Sequence, residues 1–363
     1  MKRSRNRHHR RQHWFSSLSF GTIALALGAL LILGYLSVVI PPEKAWFFTL
    51  FGLLYPLVLP ATLVLFVLSL IRKSRTRLAL ALVLLPSLFF AGRYIQFSAP
   101  KDAPEPTLSV VSYNVGLFAH GPKGADRLKL AEDVATYLNS LDADVICLQE
   151  FYLPENINID KWLNKRFPKY HAEYYMLTGK NWRAGNVSLT RKKASAKGKD
   201  TFAKSTNMAV WTDLQLDSSK LRIYNCHFES YNISLPALIK TKNAAVEDTE
   251  RKLRHSITER PRQVAQVLTG IDQAPVHSIV LGDFNDTPLS YTYFRLIRGR
   301  KDSFMKAGKG FGATYSALWP LLRLDYILYP KELQAVSYHI EKVKYSDHYP
   351  VIAQFYETGR NTK

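Results

Sequence analysis

His277-Ser278-Ile279-Val280-Leu281-Gly282-Asp283-Phe284-Asn285-Asp286-Thr287 is the stretch on which the reading of the chain turns. Ser278 to Leu281 is a short aliphatic run rich in β-branched side chains, the signature of a buried strand. Gly282 ends the run. Asp283 and Asn285 follow two residues apart, so in extended chain their side chains leave the same face, just past the strand. A carboxylate and an amide held there can orient a water and hold a phosphate. The same pair would equally serve an Asx-type turn, each side chain bonding its own backbone. Other strands that end in polar groups would decide between the two.

Such strands recur. Thr107 to Tyr113 alternates as a strand and is followed by Asn114; Val145 to Gln149 is aliphatic and is followed by Glu150. A carboxylate in that place is a good ligand for a hard cation, although a capping or surface glutamate would look the same. In Leu221–Phe228, period-two alternation puts Leu221, Ile223, Asn225 and His227 on one face. A lone histidine there is more often structural than catalytic. Arg323–Tyr329 is a further strand carrying Asp325, and Val336–Glu341 another. Tyr345-Ser346-Asp347-His348-Tyr349-Pro350 then leads into a last strand, Val351–Phe355. There the carboxylate can ligate a metal, and the imidazole can take a proton from water if a second carboxylate orients it. Asp325 is the candidate orienter.

The remaining segments read as scaffold. Ala172–Leu177, Asn186–Thr190 and Met208–Leu214 are strand candidates. Ala125–Leu141 carries Leu130, Val134, Leu138 and Leu141 at helical spacing, and Leu289–Ile297 is a second helix. Pro236–Gly270, with Lys252, Arg254, Arg260 and Arg262, reads as a solvated outer helix. Arg191, Lys192, Lys193, Lys197 and Lys199 read as a basic loop that could grip phosphates or simply be solvated. Cys147 and Cys226 both sit in apolar runs, as small buried hydrophobes and not as a disulfide framework.

Composition divides the chain near residue 98. Residues 1–97 hold 12 Lys and Arg against a single acid, Glu43; the rest holds 37 against 28, within a net charge of +20. A basic domain of that size suits a polyanionic substrate or an anionic membrane surface. Three apolar runs, about 18–40, 46–71 and 78–97, are long enough to span a bilayer, which takes roughly 20 residues. A cleavable signal peptide is the competing reading of the first run, but no small-residue cleavage site precedes Pro41. One basic cluster precedes the first run and another, Arg72 to Arg77, follows the second. The positive-inside rule then puts everything after residue 98 across the membrane. That describes an integral protein of a bacterial inner membrane with an extracytoplasmic domain; if the third run does not span, the domain is cytoplasmic. The expected organisation is an anchor over 1–97, a Pro-rich linker over 98–106, a domain over 107–357 and a tail over 358–363.

Six short motifs fall in one order: Ser112-Tyr113-Asn114, Leu148-Gln149-Glu150, Asn225-Cys226-His227, Gly282-Asp283-Phe284-Asn285, Arg323-Leu324-Asp325-Tyr326 and Ser346-Asp347-His348. From Thr107 to Tyr356 the chain resembles the endonuclease/exonuclease/phosphatase superfamily. That superfamily includes deoxyribonucleases, abasic-site endonucleases, neutral sphingomyelinases and inositol-polyphosphate phosphatases. The resemblance implies an α+β fold, a four-layer α/β/β/α sandwich of two mostly antiparallel sheets, here preceded by three transmembrane helices. It implies that Glu150 binds Mg²⁺, or Mn²⁺ in its place, with Asn114 beside it and Asp347 near. It further implies that His227 and Asn285 contact the scissile phosphate, that Asp283 positions or activates the water, and that Asp325 orients His348. Whether Asp283 or the His348–Asp325 pair takes the proton stays open. Cys226 and Phe228 stand where the family often has Thr and Leu, and a family carboxylate that pairs with the equivalent of His227 has no clear match. The expected activity is that of a membrane-anchored phosphohydrolase, foremost a phosphodiesterase acting on nucleic acid or a phospholipid head group. The alternative is a non-catalytic phosphate- or lipid-binding module, and no feature calls for a protein partner.

Overall fold

The structure, a computed structural model, describes residues 2–98, 104–121, 125–216, 219–231 and 243–358. By contact density the chain divides into Met1–Gly92 with Leu289–Tyr291, and Arg93–Pro288 with Thr292–Lys363.

The first unit is helical. Ser19–Leu36, Phe48–Ile71 and Thr76–Arg93 are each long and apolar enough to cross a membrane. Large apolar side chains face outward along them, among them Leu25, Leu63, Leu82 and Leu88. In water such a surface would carry a heavy desolvation deficit; in lipid it carries none. The expected spans shift at their ends. The first helix stops at Leu36, the second starts at Phe48, and the third run is helical only to Arg93. Tyr94 to Phe97, expected within the third span, instead contains a short strand, β1 (Ile95–Gln96). Most of the expected linker, 99–103, and the expected tail beyond Thr358 lie outside the described residues.

The second unit holds two six-stranded sheets. The first is built from β2 (Leu108–Asn114), β3 (Val145–Leu153), β4 (His171–Gly179) and β5 (Trp182–Thr190), completed by two strands from the C-terminus. The second is built from β6 (Ala196–Thr201), β7 (Met208–Gln215), β8 (Lys220–His227), β9 (His277–Asp283), β10 (Lys301–Asp302) and β12 (Asp325–Tyr329), with the two-residue β11 (Gly310–Phe311) falling between the last two. The closing strands β13 (Leu333–Ile340) and β14 (Val351–Glu357) give the first sheet the order β13-β14-β2-β3-β5-β4, and the second runs β10-β12-β9-β8-β7-β6. Among the described residues every pairing is antiparallel except β2–β3 and β8–β9.

An apolar layer that includes Val110, Val145, Ile223, Ile279, Leu281, Ile327 and Phe355 fills the space between the sheets. Helices Arg127–Ser140 and Ile159–Arg166 cover the outside of the first sheet through Leu130, Val134, Leu138, Trp162 and Leu163. Helices Asn243–Asp272 and Tyr291–Leu296 cover the second through Val264, Val267, Tyr293 and Leu296. Each such side chain, fully buried, contributes roughly 1.5–3 kcal/mol. The result is the expected four-layer sandwich.

Two parallel pairs at the centre of the two sheets decide where chemistry can occur. Their carboxyl ends carry Asn114, Glu150, His227 and Asp283, and open sheets present ligand sites at such ends. The antiparallel neighbours begin where these strands finish, so Asp325 pairs across from Asp283 and Val351, just after His348, pairs with Ser112. Gly282 is required for this closeness. Its φ is +127°, and a Cβ there would lie 1.9 Å from the Cys226 carbonyl oxygen.

Two expectations fail in this domain. The basic stretch Arg191–Lys199 is not wholly a loop, because β6 begins at Ala196 and pairs with β7. Its lysines are engaged: Lys197 Nζ lies 2.6 Å from Glu173 Oε2, and Lys199 Nζ sits 3.5 Å from the Tyr175 ring centroid. The charged outer helix is real from Asn243 onward, yet Arg260 is fully buried and ion-paired to Asp286 at 3.0 Å. Residues 236–242 lie outside the described residues.

Candidate active site

Glu150 does not end its strand. The β3–β5 ladder slips register between Leu148 and Phe151, and Glu150 has φ +51°. This bulge turns a side chain that would otherwise follow the strand's alternation, and bulges commonly re-aim residues this way. Glu150 Oε1 then lies 3.2 Å from Asn114 Nδ2, and the same nitrogen donates to Asp283 Oδ2 at 2.9 Å. One amide therefore bridges a carboxylate from each sheet. Its oxygen accepts from Gly116 N at 3.0 Å, so Asn114 faces the carboxylates with its nitrogen.

Two histidines flank Asp283. His227 Nε2 is 3.4 Å from Glu150 Oε1 and 3.9 Å from Asp283 Oδ2. That nitrogen is buried and makes no hydrogen bond. His348 Nε2 is 3.6 Å from Asp283 Oδ2, and its Nδ1 is 2.8 Å from Asp325 Oδ2. Thr314 Oγ1 accepts from the Asp325 backbone N at 3.1 Å, Ser346 Oγ accepts from His348 N at 3.2 Å, and the Tyr315 ring stands edge-on to the imidazole at 5.3 Å. Asp325 is fully buried and His348 nearly so, which fixes the ring between two carboxylates.

Electrostatics follow from burial. Burial raises the Asp283 carboxyl above the usual range; His348 opposes that rise, Asp325 adds to it, and His227 and the Asn114 amide oppose it. Burial opposes charge on His348 too, but Asp325 and then Asp283 outweigh it and push the imidazole pKa up to about 10. Asp283, Asp325 and His348 bring ligand-type atoms within 4.8 Å of one another. We read this trio as an acid–base unit, because Asp325 on Nδ1 and Asp283 beside Nε2 hold the imidazole between two carboxylates.

Asp283 also faces Glu150. Glu150 and Asp283 both lie within reach of Asn114 Nδ2, and beside them sits the unsatisfied His227 Nε2. The two carboxylates are the kind of oxygen donor that a hard divalent cation takes, and Asn114, whose nitrogen faces them, orients them. Asp347 stands somewhat apart. Its Oδ1 is 3.2 Å from His120 Nε2, and His120 and Ser346 both border the Cβ position of Gly116, whose N binds Asn114. Asn285 has φ +50°; its N donates to Asp283 Oδ1 at 2.8 Å and its Nδ2 donates to Phe228 O at 2.9 Å. That leaves one amide hydrogen and the amide oxygen for another partner.

Several supporting residues were invisible in sequence. Gln149 Nε2 donates to Asn225 Oδ1 at 2.8 Å, Asn225 Nδ2 to Val187 O at 3.0 Å, and Asn186 Nδ2 to Asn225 O at 3.1 Å. This buried amide chain ties the two sheets together beneath the site. The alternation of β8 puts Asn225 on the inner face, but nothing local names its partners. His120, Thr314 and Tyr315 carry no sequence signal at all. A cleft of about 250 Å³ opens beside Glu150 and His227, walled by Leu117, Leu177 and Trp182, with Asn186 and Asn207 also lining it.

Comparison with known proteins bears on the fold and the family. The fold is shared with the endonuclease/exonuclease/phosphatase from Beutenbergia cavernae DSM 12333 (16% identity, 70% of this chain and 72% of that one, TM-score 0.51). It is shared also with one from Bacteroides vulgatus (16%, 69% and 98%, TM-score 0.51) and with D. rerio TDP2 complexed with a single-strand DNA product (20%, 69% and 98%, TM-score 0.52). No curated protein matches the chain. Residues 16–94 match a sequence model described as a domain of unknown function (DUF8431). Residues 111–348, well over half of the chain, match that of the Endonuclease/Exonuclease/phosphatase family, so the chain belongs to this family of divalent-metal-dependent hydrolases of phosphoester bonds.

Proposed function

We propose that the protein is a membrane-anchored Mg²⁺-dependent phosphodiesterase with an extracytoplasmic catalytic domain. The observation that carries this reading is the convergence of Asn114, Glu150, His227, Asp283, Asn285, Asp325 and His348 at one end of the paired sheets. Glu150, oriented by Asn114, would hold the ion, and Asp347 would assist; when bound, the ion supplies positive charge against the phosphoryl oxygens. His227 and the remaining Asn285 amide hydrogen add donors to those oxygens. His348 lies between Asp283 and Asp325, both of which favour its protonated form, and in this reading it donates to the phosphoryl group. Asp283 is then the group that takes the proton of the attacking water. Asp325 positions the ring, and Asp325→Asn should lower kcat by about 10²–10⁴-fold with little change in KM. An unchanged kcat would remove Asp325 from the mechanism.

Anchoring is supported by the three apolar helices, and orientation by two basic clusters separated by two of them. For the substrate, the surplus of cations in the catalytic domain and the wall of Leu117, Leu177 and Trp182 suit a strand of nucleic acid with a base lodged beside the scissile phosphate. A phospholipid head group fits the anchored position. Bis(p-nitrophenyl) phosphate tested on the full chain in detergent should turn over with Mg²⁺, stop with chelator and recover when Mg²⁺ is restored. Absence of turnover under all three conditions, with the fold intact, would leave a binding module. With real substrates, 50 to 200 mM salt should weaken a nucleic acid by about 10³-fold or more if six or more phosphates are contacted, and a head group far less.

A further inference from the structure

Arg93 is the last residue of the helical stretch, and its carbonyl accepts from Arg323 Nη1 at 3.2 Å. The Tyr94 carbonyl accepts from Gly312 N at 2.8 Å, and Ile95–Gln96 pairs antiparallel with Gly310–Phe311. The Arg93 guanidinium also stacks 4.9 Å from the Phe294 ring centroid. Four consecutive residues are thus fastened to the catalytic domain before the Pro-rich segment begins.

Around this attachment the domain exposes aromatic rings and cations together. Phe97 is 85% exposed, Phe311 49% and Trp319 41%. The Phe311 and Trp319 rings meet edge-on at 5.8 Å, and Lys342 Nζ lies 3.8 Å from the Trp319 centroid. Lys309, exposed, adjoins Gly310 of β11. A groove of about 650 Å³ bordered by Phe311, Trp319, Lys309 and Lys342 continues the patch. Aromatic rings with lysines beside them are the composition of a protein surface at the lipid–water interface. Reach agrees: the four steps from Arg93 to Phe97 extend at most about 14 Å. The head-group layer on each side of the hydrocarbon is roughly 5–8 Å thick.

We propose that Phe97, Phe311 and Trp319, with Lys309 and Lys342, form a membrane-docking surface that beds the catalytic domain among the lipid head groups. The lysines meet anionic phosphates there and the rings enter the interface. The proposal rests on the reading of the three helices as membrane spans. It gives the domain one fixed tilt on the bilayer, and so a constant direction for the mouth of the active site.

Nitroxide labels on the full chain in nanodiscs of phosphatidylethanolamine and phosphatidylglycerol test it. Labels would be placed singly at Phe97→Cys, Phe311→Cys, Leu63→Cys in the second helix and Lys161→Cys on an exposed outer helix of the catalytic domain. Cys147 and Cys226 are buried and stay unlabelled. Accessibility to oxygen relative to a water-soluble nickel chelate is read at each. Phe97→Cys and Phe311→Cys should show a ratio several-fold above Lys161→Cys and approaching Leu63→Cys. If Leu63→Cys is lipid-like while both patch labels match Lys161→Cys, the docking surface is wrong and the anchor stands. A water-accessible Leu63→Cys overturns the anchor and the docking surface with it. Spin–spin broadening at both patch labels would assign the surface to a second copy of the chain and equally overturn the proposal.

Discussion

Glu150→Ala should lower phosphodiester hydrolysis by about 10³-fold or more while leaving the fold unchanged. Removing a single preorganised charge-stabilising group costs roughly 10²–10³ in kcat, and in the proposed mechanism the lost group would also be the principal anchor of the ion. The structural cost is small because Glu150 is only half-buried and touches the site through Asn114 Nδ2 and His227 Nε2. Its bulged backbone is held by β5 and not by its own side chain. The melting temperature of the full chain in detergent should therefore move by no more than about 2 °C, the scale of a sub-kcal surface change in a domain this size. Asp347→Asn should cost less, since Asp347 is paired with His120 and, unlike Glu150, accepts no hydrogen bond from Asn114 Nδ2. Near wild-type turnover by Glu150→Ala in Mg²⁺ would detach Glu150 from the chemistry. A collapse in melting temperature would instead show that the carboxylate supports the bulge.

What sequence could reveal of this site was set by how local each cause is. Asn114, His227 and Asp283 were legible because each finishes an aliphatic, alternating run, and a polar side chain there has no core to enter. His348 was legible as an Asp-His pair at a loop-to-strand junction, and Asp325 as its partner only because a carboxylate was needed somewhere. The bulge at Glu150 was not legible: the strand was expected to stop at Gln149 but continues to Leu153, and the slip depends on β5. Arg260 was misread for a similar reason. On a helix rich in charge, nothing in Glu259-Arg260-Pro261-Arg262 separates the fully buried guanidinium from its solvated neighbours, and its partner Asp286 lies in another element. The strand β6 was missed because a lysine-bearing edge strand has no buried face to alternate against. β1 is two residues long, below what any periodicity can register. Pairings across sheets, which hold Asn225 and Gln149, are long-range facts that no window contains.

The same limit hid the residue whose loss should most damage the fold, Asp302. Nothing marks it in Arg300-Lys301-Asp302-Ser303, where an acid among cations looks solvated. In the structure it is 1% exposed and faces the fully buried Arg323. Arg323 Nη1 donates to Asp302 Oδ2 at 2.8 Å and Nη2 to Oδ1 at 2.5 Å. Tyr293 Oη donates to Oδ2 at 2.8 Å, and Oδ1 caps the helix Ser303–Ala307 by accepting from Phe304 N at 3.0 Å. Asp302→Ala strips a buried cation of its counter-charge, for which about 3–5 kcal/mol is expected, a fall in melting temperature on the order of 10 °C. Arg323 lies two residues before Asp325, so activity should fall with stability, but in step with it and not before it. The cost arises from the stranded charge more than from the lost attraction. Removing both charges, in Asp302→Asn with Arg323→Met, should therefore restore much of the loss. If the double variant melts as low as Asp302→Ala, the stranded cation is not the cause. The damage would then include what Arg323 itself holds, the Arg93 carbonyl and the Phe304 and Tyr326 rings.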